Sequence, residues 1–164
     1  MRTIVRQDAS EATAWLGRLR DLRHDPVSDH LLGVDIDDRV IVEFTTGGEL
    51  VGFFGRYGQG PEELRNVSAF EVTDRHVVAL DSGNGKLVVF DRSTREMLTE
   101  VRLNRGTLDL TMLDDTLVAV MPGPEGTLYE QIGIDGRRAG AFGDGGFVGR
   151  QARSRTSARG CSPS

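Results

Sequence analysis

Cysteine is all but missing from this chain, and its one occurrence, Cys161, lies near the carboxyl end. An intrachain disulfide and a thiolate metal cluster are thereby excluded. Histidine is scarce as well: His24, His30 and His76 are scattered, with none of the His-x-x-x-His or His-x-Glu spacings that metal sites use. There is no Gly-x-Ser-x-Gly elbow and no phosphate-cradling Gly-x-x-x-x-Gly-Lys-Ser/Thr loop. No stretch approaches the ~18 consecutive apolar residues of a membrane span. Met1 to Arg23 carries Arg2, Arg6, Asp8, Glu11, Arg18 and Arg20 with no uninterrupted apolar core, so no export signal is read there. As written, the chain is expected to stay in the compartment where it is made. A net charge of −5 argues against a nucleic-acid binder. Lysine occurs once, at Lys86, and every other basic residue is arginine, which reads as codon usage or surface preference more readily than as a site.

What is present is ordinary for a soluble globular domain: 164 residues, 38% apolar and 27% charged, enough for one core. The chain is organised around Gly55-Arg56-Tyr57-Gly58-Gln59-Gly60-Pro61-Glu62-Glu63-Leu64. The glycines permit left-handed or closely approached backbone, and Pro61 fixes its own φ, so a sharp crossover is expected. Glu62 and Glu63 read as a solvated turn, with the start of a helical turn as the alternative. The segments on either side resemble each other. Leu32 to Phe44 lies over Val78 to Phe90 with Asp35 on Asp81 and Phe44 on Phe90, a shift of 46 residues (81 − 35). That is close to the ~40–50 residues of a four-stranded propeller blade. A weaker third copy has Val118-Ala119-Val120 over Val78-Ala79-Leu80 at a shift of 40 (118 − 78). It ends on Ala141-Phe142-Gly143, like Phe53-Phe54-Gly55, and its turn Pro122–Gly126 lacks the aspartate.

Within each copy, short apolar runs bounded by Asp, Asn and Gly predict antiparallel hairpins. Strands are expected near 20–23, 30–36, 39–45 and 50–54; then 67–72, 76–80, 86–90 and 97–103; then 108–113, 116–120, 127–134 and 138–142. No long helical period interrupts them, which makes the fold class all-β with stacked units. Asp35 and Asp81 read as turn stitches, and Phe44 and Phe90 as equivalent inward positions, each packing between its own unit and the next. Asp35, Asp37 and Asp38 could alternatively gather around calcium, although the EF-hand's Gly and distal Glu are missing. Ser10 to Leu19 could form a short helix with Ala12, Trp15, Leu16 and Leu19 on one face, in competition with a strand from Leu19. The domain plan is a lead segment over 1–18, a partial propeller over 19–146 in units of about 19–55, 67–103 and 107–143, and an Arg/Ser-rich tail over 147–164 expected to be disordered.

These residues resemble the six-bladed β-propellers of the NHL-repeat type, in particular bacterial ones with a Gly-x-x-Gly-x-Gly-Pro-x-Glu joint. Gly55, Gly58, Gly60, Pro61 and Glu63 match the joint, and Asp81, Asn84, Leu87, Val89 and Phe90 match the Asp…Asn…Val-x-Val-Phe line within a blade. Glu62 and Leu64 depart from the Gly and Phe often found there. The resemblance implies a ring of six blades, of which three units supply half, so a fragment or a homodimer closing the ring is expected. It implies a non-catalytic module presenting rim loops to a protein, peptide or carbohydrate partner, with no resident cofactor; relatives of this type are often exported. The alternative is a fragment of a propeller hydrolase or lyase with a metal in the central channel, drawing on Asp35, Asp81, Asn84 and His76.

Overall fold

The computed structural model describes residues 17–103, 106–114, 116–121 and 127–144. The expected helix over 10–19, apart from its last residues, lies outside the described part, as do the 122–126 turn and the 147–164 tail. Unit 1 is a four-stranded antiparallel sheet of β1 (Leu19–Asp25), β2 (His30–Asp35), β3 (Val40–Thr45) and β4 (Leu50–Phe54) in sequence order. Unit 2 repeats this with β7 (Val67–Val72), β8 (His76–Asp81), β9 (Lys86–Asp91) and β10 (Met97–Arg102). Unit 3 consists of β11 (Asp109–Asp114), β12 (Leu117–Met121), β13 (Thr127–Gly133) and β14 (Arg138–Asp144). Between the first two units, β5 (Arg56–Tyr57) and β6 (Glu63–Leu64) form a short parallel pair, which the sequence had shown only as a crossover.

Period-2 alternation sends successive side chains to opposite faces, and the cores follow that rule. Leu32, Val34, Ile41 and Phe54 of unit 1 meet Phe70, Val77, Ala79, Val88 and Phe90 of unit 2 in one buried cluster. The other face of unit 2, through Val78, Leu80, Leu87 and Val89, meets Leu110, Val118, Val120 and Ile132 of unit 3. Leu31, Val40, Val42 and Phe44 form a third cluster on the face of unit 1 turned away from unit 2. The 46-residue shift therefore matches faces as well as letters. It also corrects the direction of packing: Phe44 and Phe90 are equivalent, but Phe90 packs back onto unit 1, edge-on to Phe54 with ring centroids 6.1 Å apart.

The third copy needs a different correction. Val78 and Leu80 face unit 3, whereas Val118 and Val120 face unit 2, so a shift of 40 places matched residues on opposite faces. Pairing Leu110 with Val120 is the counterpart of pairing Phe70 with Ala79, which makes the shift in the second strand 41 (120 − 79). The cause is a bulge between Met112 and Asp114, which puts one more residue into the first hairpin of unit 3 than into that of unit 2. One such residue flips every side chain that follows.

Each unit has an even number of strands, so the chain enters and leaves a unit on the same rim. The β2–β3 and β8–β9 turns and both crossovers lie on that rim. Between units, the closest strand neighbours are β1 with β7 and β7 with β11, so the first strands share the axial position.

Candidate functional site

On the crossover rim, the two repeated aspartates end the second strands and work alike. Asp35 is 1% exposed; its carboxylate accepts the Gly17 amide at 2.8 Å and the amides of Asp37 and Asp38 at 2.9 and 3.3 Å. Asp81 accepts Arg65 N and Asn66 N at 3.0 and 2.9 Å, Gly83 N and Asn84 N at 3.1 and 3.3 Å, and Asn84 Nδ2 at 2.7 Å. Each thus ties its own turn to the segment that leads into its own unit.

The joint is held by its glutamate. Glu63 Oε2 accepts Gln59 N at 3.0 Å and Gly60 N at 2.8 Å, and Oε1 accepts Arg56 Nε at 3.1 Å. Chiefly through the Gly60 amide, these bonds hold its carboxyl below the ordinary range. The solvated-turn reading fits exposed Pro61 and Glu62 but not Glu63, whose charge is engaged by the loop amides. A side chain at Gly58 would collide with this carboxylate, and one at Gly55 (φ +75°) would come within 2.5 Å of the Leu64 side chain. Asn84 Nδ2 donates to Gly58 O at 3.0 Å and Lys86 Nζ donates to Gly60 O at 2.8 Å. Lys86 is therefore not a surface residue: it is fully buried, and its ammonium also reaches Glu100 Oε2 at 2.7 Å.

On the opposite rim, units 1 and 2 are joined by a charge cluster that sequence reasoning missed. Glu43, 1% exposed, accepts His30 Nδ1 at 2.7 Å and Arg92 Nη2 at 2.6 Å on Oε1, and Arg95 Nη2 at 2.9 Å on Oε2. Arg92 also donates to Asp25 Oδ2 at 2.8 Å, and both guanidinium groups lie over the Phe54 ring. Burial pushes the Glu43 carboxyl up, but hydrogen bonds from Arg92, His30 and Arg95 outweigh it, so the group ends below its ordinary value. Asp25 follows the same balance, with Ser28, Val27 and Arg92 as donors. The available signal was an acid inside the otherwise apolar run Val40-Ile41-Val42-Glu43-Phe44.

On the crossover rim a cleft of about 730 Å³ opens between units 1 and 2, lined by Arg18, Arg20, Arg39 and Arg65 together with Asp35 and Asp37. Both acids are engaged: Asp35 by backbone amides, Asp37 by Arg18 at 3.0 Å. Arg39 lies over the Tyr57 ring at 4.6 Å. Its backbone is left-handed at φ +60°, and the equivalent position of unit 2, 46 residues on, is Gly85 at φ +64°. A second cleft, of about 600 Å³, follows between units 2 and 3, lined by Ser82, Asn84, Arg102 and Thr107 among others.

The residues proposed for a channel metal are not brought together. Asp81 and Asn84 bond each other, Asp35 belongs to the neighbouring turn, and His76 starts the strand that Asp81 ends, on the opposite rim. The Asp35 carboxylate accepts the amides of Asp37 and Asp38 and so closes the turn that these three aspartates share. Among the described residues, no group of three or more His, Cys, Asp or Glu side chains is placed to hold a metal ion, and no helix is long and apolar enough to cross a membrane.

No protein-family model and no curated protein matches the sequence. Among solved structures, the chain is similar to a candidate exported protein of Bacteroides fragilis, at 18% identity and a TM-score of 0.59 over 83% of this chain. It spans 40% of the length of that protein. The computationally designed protein Ika4 matches at 16% identity and a TM-score of 0.55, over 84% of this chain and 77% of its own. The dihydro-heme d1 dehydrogenase NirN matches at 17% identity and a TM-score of 0.51, over 71% of this chain and 25% of its own. Together with three consecutive four-stranded antiparallel sheets whose first strands meet, this decides the architecture. The fold is propeller-like. At these identities the likeness speaks for the fold alone.

Proposed function

We propose that this propeller-like chain is a non-catalytic binding module of the six-bladed, NHL-repeat type, which presents the loops of its crossover rim to a protein, peptide or carbohydrate partner. The observation that carries this reading is the rim itself. It gathers both crossovers and the repeated hairpin turns, and it opens into two consecutive clefts of about 730 and 600 Å³. Of the four residues considered for a channel metal, Asp35, Asp81 and Asn84 are spent on holding turns.

In this reading 19–146 is the propeller portion, and further blades complete the ring. The open face of unit 3 supports that: Leu113, Met121 and Phe142 are 48%, 50% and 43% exposed, and Phe142 stands where buried Phe54 stands in unit 1. An apolar face of this kind is suited to another blade. A further blade, or a second copy of this chain closing the ring, would cover it.

We assign no resident metal or cofactor. Calorimetric titration with calcium and with zinc tests the reading: heats no larger than dilution are expected. Tight binding at one metal per chain would replace the module by a metal-dependent hydrolase or lyase.

A further inference from the structure

We propose that the cleft between units 1 and 2 is a carboxylate-binding site, filled by Asp or Glu side chains of an acidic peptide. This rests on the binding-module reading and names its ligand. Four arginines line the cleft against two aspartates, an excess of two positive charges (4 − 2); Arg18 is paired with Asp37, and the Asp35 carboxylate is turned to backbone amides. Among the described residues Arg39 and Arg65 have no carboxylate partner, so the cleft is cationic in a chain whose net charge is −5. Arg20 is engaged: its Nε lies 3.6 Å from Asp21 Oδ2, and its Nη2 donates to Val67 O across the two units.

The geometry at Arg39 carries the argument furthest. Its guanidinium lies over Tyr57, a stacking that engages the flat face and leaves the in-plane N–H donors for a planar acceptor. Its backbone takes the left-handed conformation that unit 2 gives to Gly85, a costly choice for a long side chain that gains no ion pair in return. Arg65 is anchored through its own amide on Asp81, which fixes the base of its side chain at the mouth of the cleft. The preferred chemistry is already displayed there, since Arg18 grips Asp37 through Nε and Nη2 at 3.3 and 3.0 Å.

The test titrates the full chain with fluorescein-labelled hexaglutamate, followed by anisotropy, with citrate and inorganic phosphate as competitors. Arg39→Gly and Arg65→Ala are compared with Arg137→Ala, a control whose side chain is 90% exposed on unit 3. Saturable binding is expected, weakened about tenfold or more by either cleft variant and less than about twofold by the control. Citrate should compete more weakly than the peptide; the reverse order would make a free carboxylic acid the source and overturn the peptide. Arg39→Gly should hold or raise the Tm while losing affinity, because it relaxes the backbone and removes the ligand. Unchanged affinity in both cleft variants, equal loss in the control, or phosphate competing better than citrate would overturn the carboxylate site. Hexaglutamate binding that ignores Arg39 and Arg65 would sink the cleft and leave the rim module standing. Stoichiometric zinc or calcium binding would do the opposite.

Discussion

Lys86 carries its ammonium to 2.8 Å from the Gly60 carbonyl oxygen, so the second unit clamps the crossover that delivers the chain into it. The same ammonium meets Glu100 at 2.7 Å and is fully buried, which makes the only lysine a keystone of the joint. Lys86→Met should cost about 2 kcal/mol, since it leaves a carboxylate and a carbonyl without their donor. Adding Glu100→Leu should recover part of that loss. Urea unfolding checks both, and a single-variant loss under about 0.5 kcal/mol would contradict the clamp.

Asp81→Ala should cost about 2–4 kcal/mol, because four backbone amides and Asn84 Nδ2 converge on that carboxylate. Asp35→Ala, with three amides on its carboxylate, should cost less. Urea unfolding measures both losses. A variant as stable as the parent but unable to bind would make these aspartates ligand residues.

Phe90→Ala and Phe44→Ala should each destabilise by about 3–5 kcal/mol, as both rings are buried, at 1% and 3% exposure. Thermal and urea melts decide it. Small losses for both would mean that the matched faces do not pack.

Acid should weaken the chain through Glu43 and Asp25. Their carboxyls lie below the ordinary values in the folded state, so their contribution is full above the unfolded pKa of about 4 and is lost as pH falls through the folded one. Asp91 is held at about 2, chiefly by the Thr94 amide. Glu71 has the opposite sign. Burial raises its carboxyl, so Glu71→Gln should raise stability at neutral pH and leave it unchanged in acid. Melts between pH 2 and 7 should show a Glu43→Gln chain with a shallower acid limb than the parent, and parallel curves would contradict this.

Much of the fold was legible because the repeat is written in residues of short range. Asp35 and Asp81 close turns within three residues, and alternation along Val40–Phe44 and Lys86–Phe90 sets the faces. The four strands of the third unit were legible, but its register against unit 2 was not, because the Met112–Asp114 bulge shifts a pattern of period two by one and the letters Val-Ala-Val cannot reveal which face they occupy. The cleft was not legible at all. Its arginines come from the lead into β1, β1 itself, a hairpin turn and a crossover, and only the stacking of units 1 and 2 brings these segments together. Lys86 and Glu43 were hidden for a related reason: composition reports that a charge exists, but not that the crossover and a facing strand, or a neighbouring unit, supply its partners.

That stacking is the claim on which the rim and its cleft depend, and the contact between Glu43 and Arg92 measures it. The two residues are 49 positions apart, on different units, with Oε1 and Nη2 at 2.6 Å. A double-mutant cycle of Glu43→Ala and Arg92→Ala by urea unfolding should give a coupling energy of about 2–3 kcal/mol, the scale of a buried, hydrogen-bonded pair. Losses that add to within about 0.5 kcal/mol would contradict the face-to-face stacking of the first two units.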